Sequence, residues 1–175
     1  MKKIALIYGA IAGIIIISTM TIGYAVSEPG EIGASQLVGF SIMFIAFSLI
    51  FFGIKRYRDR DLGGVIRFWP AFGLGCAIAA VAGLFYITGW EIYLAATDHS
   101  FINIYTQSLI DAKAKAGMAG DDLNTFIAEM ELMKTRYASP FYRVPMTFTE
   151  IFPVGMIVSL VSAAILRKPH ILPAR

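Results

Sequence analysis

Four long runs of apolar residues dominate this sequence and restrict what it can fold into. They cover residues 4–26, 36–54, 68–93 and 146–166. A helix needs roughly 20 mostly apolar residues to cross about 30 Å of hydrocarbon, because each residue advances it by about 1.5 Å. The pattern therefore predicts an all-α fold, an integral membrane four-helix bundle that forms a single domain over residues 1–175.

The composition supports a bilayer protein and argues against a soluble one. Of the 175 residues, 57% are apolar and only 15% are charged, whereas a soluble domain has about 25% charged residues. A soluble protein of this size could not hide so much apolar surface from water. The formal charge of +3 would suit nucleic acid, but the basic residues cluster beside apolar runs, so we predict the lipid bilayer as the partner and no nucleic acid.

The charges divide sharply between the two ends of the predicted bundle. With the N-terminus in the cytoplasm, the cytoplasmic side holds ten of the fifteen basic residues and only two of the twelve acidic residues. Lysine and arginine resist translocation, so this asymmetry predicts that both termini are cytoplasmic. The residues expected to set the topology are Lys55, Arg56, Arg58, Arg60, Arg67, Arg167 and Lys168.

The first run has a rival interpretation as a cleaved signal peptide. Lys2 and Lys3 precede it, and the small residues Ala25, Val26 and Ser27 follow it. A signal peptide usually has an apolar stretch of about 7–15 residues, however, and this run is longer. We therefore expect a retained span, while cleavage would leave three spans and an external N-terminus.

The segment between the third and fourth runs, residues 98–140, carries apolar residues at helical spacing in two stretches. Gly117 and Gly120 lie between the stretches. This pattern predicts an extracytoplasmic amphipathic helical hairpin. Its apolar faces would cover each other and the ends of the spans, or alternatively form a lid or a docking surface for a protein partner.

Small residues recur at every fourth position in three of the apolar runs. Because lipid tails are as apolar as leucine, close packing between small residues is a main source of helix association in a bilayer. The pattern predicts packing within the chain, with a homo-oligomer contact as the alternative. The three stripes are Ala5, Gly9 and Gly13; Gly75, Ala79 and Gly83; and Gly155, Ser159 and Ala163.

Two glutamates near the predicted outer interface are the candidates for a binding site. Glu91 follows Trp90 near the end of the third run, and Glu150 lies near the start of the fourth. Ionisable residues at membrane depth are costly and therefore suggest function. One interpretation is simple capping at the interface. The other is an outward-facing acidic pocket for a cation or a proton, with Glu91, Tyr93 and Glu150 as acceptors.

Catalytic and metal-binding patterns are missing from the sequence. It contains one cysteine, Cys76, and two distant histidines, His99 and His170, which do not match the usual zinc spacings. Neither H-E-x-x-H nor G-x-S-x-G occurs. We therefore expect no metal, no cofactor and no enzymatic activity.

Four segments together resemble a bacterial domain of unknown function, the DUF 4199 family. They are residues 52–59 (FGIKRYRD), 62–66 (LGGVI), 90–93 (WEIY) and 150–155 (EIFPVG). The resemblance implies four spans, a long segment between the third and fourth, and a location in the bacterial inner membrane. It carries no catalytic assignment.

Three functions remain open at this point. The first is a non-enzymatic structural, regulatory or partner-binding membrane protein. The second is a small channel or transporter subunit that uses the acidic pocket. The third, a lipid-acting enzyme with a glutamate base, ranks last because no nucleophile or metal cluster accompanies the carboxylates.

Overall fold

The computed structural model describes residues 1–26 and 35–173, and every regular element in these ranges is an α-helix. The helices are α1 (Lys2–Val26), α2 (Ser35–Asp61), α3 (Phe68–Ala96), α4 (Phe101–Lys115), α5 (Gly120–Tyr137) and α6 (Pro140–Leu166). Residues 27–34 and 174–175 lie outside the described residues. The all-α prediction is confirmed.

Four of the helices are long and apolar enough to cross a membrane: α1, α2, α3 and α6. Each predicted run lies inside one of them, and all four helices extend further than their apolar runs, α2 and α6 by the most. Helix α2 continues to Asp61, and α6 already begins at Pro140. Proline is well suited to the first turn of a helix, where its missing N–H has no partner to lose.

The four long helices form a ring in the order α1, α2, α6, α3, with neighbouring helices in contact. Helices α1 and α3 run in one direction, and α2 and α6 run in the other. One end of the ring, which we call the basic end, contains Lys2, Asp61, Phe68 and Leu166. The other end, which we call the hairpin end, is where α4 and α5 pack against each other and α5 contacts α6.

Helix α2 ends in a glycine turn. Gly63 and Gly64 have φ values of +64° and +94°, which residues with a Cβ rarely adopt. The N–H of Gly64 donates to the carbonyl of Arg58 at 2.9 Å and so closes the last turn of the helix. This turn leads directly into α3.

The small-residue stripes lie at contacts between helices of the same chain. A Cβ on Gly9 would lie 2.7 Å from the Ile78 carbonyl of α3, and a Cβ on Gly155 would lie 2.5 Å from the Ala79 Cβ. A Cβ on Gly75 would lie 2.6 Å from the Ser159 side chain. The stripe of α1 therefore packs on one face of α3, and the stripe of α6 packs on another. This geometry matches the interpretation of packing within the chain.

Candidate functional site

A cavity of about 210 Å³ lies where the α4–α5 hairpin meets the bundle. Each of the six helices contributes to its wall, so residues that are far apart in the sequence meet there. One residue from each helix illustrates this: Tyr24, Phe40, Trp90, Tyr105, Tyr137 and Glu150, in order from α1 to α6. The cavity therefore exists only when the hairpin is docked on the four long helices.

Aromatic rings form much of the wall on the hairpin side. The Phe101 ring lies 4.7 Å from the Trp90 ring and 5.1 Å from the Tyr24 ring, both edge to face. Trp90 Nε1 donates a hydrogen bond of 2.8 Å to the hydroxyl oxygen of Tyr137. Edge-to-face contacts are favourable for aromatic pairs, and a buried indole N–H needs an acceptor. This cluster joins α1, α3, α4 and α5.

Glu150 is the only carboxylate among the described residues that line the cavity. Its side chain is exposed, and within residues 1–26 and 35–173 it has no hydrogen-bond or ion-pair partner. Thr147 has the one aliphatic hydroxyl among the described residues of the wall, and it donates to the carbonyl of Arg143 at 2.9 Å. Among the described residues, the cavity thus contains one carboxyl group that has no hydrogen-bond or ion-pair partner.

The tyrosines that the hairpin contributes remain neutral at physiological pH. Burial raises the pKa of Tyr137 to about 12; the hydrogen bond from Trp90 opposes this shift, and the Glu150 carboxylate adds to it. Burial and then the Glu150 carboxylate raise the pKa of Tyr105 as well. Both hydroxyls therefore feel the charge of Glu150 without adding a second negative charge to the cavity.

Glu91 has a different environment from Glu150. Its two carboxylate oxygens accept hydrogen bonds from Arg143 Nε and Nη2 at 2.7 and 2.6 Å. Arg143 is only 3% exposed, its Nη1 donates to the carbonyl of Tyr137 at 3.0 Å, and its guanidinium lies over the Tyr137 ring. A bidentate pair of this kind has a well-defined geometry. It ties the end of α5 to α3 and α6.

The structure therefore separates the three residues of the predicted acidic pocket. Glu150 lines the cavity, whereas Glu91 is paired with Arg143, and the Tyr93 ring stacks on Trp90 at 5.3 Å. Neither Glu91 nor Tyr93 is among the described residues of the cavity wall. The sequence interpretation missed Arg143 as the partner of Glu91, although it is the one basic residue within two turns of Glu150 on α6.

Sequence reasoning also missed the special role of Arg58 at the basic end. Six of the seven predicted topology-setting residues are exposed or half-buried, but Arg58 is fully buried. Its guanidinium donates to Asp59 Oδ1 at 2.6 Å, to the carbonyl of Ile171 at 3.0 Å and to that of Leu172. Arg58 therefore holds the segment that follows α6 against α2.

Among the described residues, no group of three or more histidine, cysteine or acidic side chains could hold a metal ion. The free thiol of Cys76 lies on α3, away from the cavity wall. The candidate site thus consists of the cavity, its aromatic wall and Glu150.

Comparison with known proteins gives one result about identity. No curated protein and no solved structure matches the chain. One family, described as a protein of unknown function (DUF4199), matches residues 7–168, which is nearly the whole chain and all four long helices. The expected family resemblance is confirmed, and this protein belongs to the DUF4199 family.

Proposed function

We propose that this protein is a non-enzymatic, multi-pass protein of the bacterial inner membrane that binds a small ligand in the cavity and regulates a partner through the hairpin. The observation that carries this proposal is the cavity itself. All six described helices line it, and its one carboxylate has no partner among the residues that the structure describes. Ligand sites are typically concave and mostly apolar, with few polar groups that orient the ligand.

The charge distribution supports an orientation with the cavity facing away from the cytoplasm. The basic end holds Lys2, Lys3, the exposed arginines Arg56, Arg60 and Arg67, and Arg167 with Lys168. The hairpin end is net acidic. Under the positive-inside rule, the basic end and both termini would be cytoplasmic.

The packing between the cavity and the basic end favours a site that opens to one side only, and it argues against a transport path. Phe47, Ile50, Leu74, Ile78 and Ile151 are all at most 1% exposed and fill the space between the long helices. A channel or transporter would need a route through this core to the basic end. A regulatory or sensory site needs none.

The cavity wall also supports a role in recognition more than in catalysis. General acid–base chemistry uses groups within hydrogen-bond reach of a reacting atom, and nucleophilic chemistry needs a hydroxyl or thiol that a base activates. Among the described lining residues, Glu150 has no second carboxylate, and the Thr147 hydroxyl is engaged by its own helix.

Cysteine labelling tests the orientation. In a Cys76→Ala background, Asp122→Cys on α5 and Asp61→Cys at the end of α2 place one exposed thiol at each end of the bundle. A membrane-impermeant maleimide added to intact cells should label only the Asp122→Cys variant. Equal labelling of both, or labelling of Asp61→Cys alone, would contradict the proposed topology.

Native mass spectrometry of gently extracted protein tests ligand binding. We expect a bound small molecule in the wild-type protein and its loss in Gly39→Leu, whose new side chain would enter the cavity. Gly73→Leu is the matched control, because no atom lies within 4 Å of a Cβ there. Met146→Trp provides a second cavity-filling variant. A ligand that persists in both filled variants, or no ligand in any sample, would contradict the proposal.

The transporter alternative has a direct test in liposomes. If Glu150 carried ions or protons, Glu150→Gln would change the flux that the wild-type protein supports. We expect no flux above that of empty liposomes for either protein. Flux that depends on Glu150 would favour the transporter.

A further inference from the structure

The wall of the cavity has the chemistry of a site for an organic cation. Rings of Tyr24, Trp90, Phe101 and Tyr137 line the space, and contacts of 4.7–6.5 Å between them join them into one cluster. The faces of such rings are negative and attract cations, and aromatic cages of this kind recognise quaternary ammonium groups. Four methionines, Met20, Met43, Met133 and Met146, complete an apolar lining that can adapt to a ligand.

The charges of the site leave room for one positive charge. Within residues 1–26 and 35–173, no cation pairs with Glu150. The nearest cation along its helix, Arg143, donates instead to Glu91 and to the Tyr137 carbonyl. The hydroxyls of Tyr105 and Tyr137 stay protonated. A ligand with one positive charge would therefore neutralise the cavity.

A metal ion fits this wall poorly. Calcium takes six to eight oxygen ligands and magnesium requires an octahedral oxygen shell. The described lining offers one carboxylate, hydroxyls that are largely phenolic, and thioethers. A cation with a weakly hydrated, apolar surface suits these groups better.

The size of the cavity limits the ligand. Its volume of about 210 Å³ lies below the roughly 300–1,000 Å³ of pockets for drug-sized molecules. It suits a group such as trimethylammonium and is too small for a bulky cation with several rings.

We propose that the cavity binds an N-methylated ammonium group, with Glu150 as its counter-ion and the aromatic cluster as its cage. This assignment rests on the proposed function, since it names the ligand class of the same site. The ammonium group has two natural sources, a free small molecule or a lipid headgroup. Both would present the same chemistry to Glu150.

The two tryptophans allow a direct binding test. Trp90 lines the cavity, whereas Trp69 lies at the basic end and is 75% exposed. In a Trp69→Phe background, Trp90 is the only indole, and its emission should report on occupancy. The protein is placed in phosphatidylglycerol nanodiscs and titrated with choline or with 3,3-dimethylbutan-1-ol, which has nearly the same shape but no charge.

We expect choline to change the Trp90 emission saturably and the uncharged isostere to bind at least tenfold more weakly. Glu150→Gln should lower the choline affinity at least tenfold and leave the isostere unaffected. Glu129→Gln, at an exposed position on α5, makes the same chemical change outside the cavity and should keep the choline affinity. The reverse background, Trp90→Phe, should show no response.

A second arm identifies the source of the ammonium group. In phosphatidylcholine nanodiscs, a headgroup ligand would already give the emission of the choline-saturated protein, and free choline would add nothing. If the source is a free molecule, choline would titrate equally in both lipids. Either result supports the assignment.

The assignment would be overturned if choline and its isostere bound equally, if Glu150→Gln left the choline affinity unchanged, or if neither choline nor phosphatidylcholine altered the emission. These failures are distinct from failure of the proposed function. A small molecule found by mass spectrometry that lacks an ammonium group would keep the ligand site and refute only its ligand class.

Discussion

The basic end and the hairpin end of this bundle are built from the same four long helices but are packed in opposite ways. From the basic end to the middle of the bundle, glycine, alanine and serine bring α3 into close contact with α1 and α6, and Gly155 has no room even for a Cβ. At the hairpin end, the facing residues are tyrosine, tryptophan, phenylalanine and methionine, and the helices enclose a cavity. Larger side chains thus accompany the change from a filled region to a hollow one, although Gly89 still brings α3 close to Ile17 of α1 at the hairpin end.

Each end also has one arginine that joins distant parts of the chain. Arg58 binds Asp59 and the carbonyls that follow α6, and Arg143 binds Glu91 and the carbonyl of Tyr137. Arginine suits both tasks because its planar guanidinium offers five donors in a fixed arrangement. The two ends therefore differ in packing, but at each of them a buried arginine connects separate parts of the chain by hydrogen bonds.

The largest expected effect comes from adding bulk at the close helix contact. Gly155→Leu should lower the free energy of unfolding by about 3 kcal/mol or more, because its side chain would overlap Ala79 and Phe47. Gly39→Leu at the hairpin end should change stability by less than about 1 kcal/mol, since its Cβ meets only the flexible end of Met20, at 3.3 Å, and the substitution removes a helical glycine. Unfolding in mixed micelles with increasing SDS measures both. Equal losses would refute the contrast between the two regions.

Loss of the arginine at the basic end should have the next largest effect. Arg58→Met should cost about 2–3 kcal/mol, because the carbonyls after α6 and the Asp59 carboxylate lose a buried donor. Arg58→Lys should recover only part of this loss, since an ammonium cannot reach the same acceptors. Arg56→Met, at an exposed position two residues earlier, serves as the control. The same SDS titration should show almost no change for that control.

The two glutamates of the hairpin end form a matched pair. Glu91→Gln should cost about 2 kcal/mol, less than for a fully buried pair because Glu91 is 33% exposed, and it leaves the charge of Arg143 without a partner. Glu150→Gln should change stability by less than about 0.5 kcal/mol, because no partner among the described residues is lost. Thermal unfolding of the two purified variants compares them. A larger loss for Glu150→Gln would show that this carboxylate has a structural role.

The smallest expected effect concerns the link between the hairpin and the bundle. Tyr137→Phe should cost about 1 kcal/mol, because Trp90 Nε1 loses its acceptor at 2.8 Å. The Trp90 emission should also shift, since the environment of the indole N–H changes. Tyr142→Phe, at an exposed position, is the control. An unchanged emission spectrum in Tyr137→Phe would mean that the hydrogen bond does not form in solution.

The long helices could be predicted from the sequence because crossing a bilayer requires a long apolar run, and the helical hairpin because its two stretches show helical periodicity. The small-residue stripes could be found by spacing, and they lie at helix contacts. Glu150 stood out in the sequence as an ionisable residue in an apolar helix, but its neighbours could not be predicted. They come from six helices, and one sequence does not reveal how those helices are rotated against each other.

The pairing of Glu91 with Arg143 illustrates the same limit. The two residues are 52 positions apart, and Arg143 lies before the fourth apolar run of the sequence. Only the early start of α6 at Pro140 brings Arg143 onto the same helix as Glu150. The burial of Arg58 could not be predicted either, because the charge pattern that sets the topology is the same whether one of its residues is buried or exposed.

The hairpin is attached to the bundle by very short connections, with residues 97–100 between α3 and α4 and residues 138–139 between α5 and α6. An extended residue spans at most about 3.6 Å, so these connections have almost no slack. Any tilt of the hairpin must therefore move the ends of α3 and α6 with it. Since those two helices contact each other through small residues down to the opposite end of the bundle, a displacement at one membrane surface has a rigid mechanical route to the other.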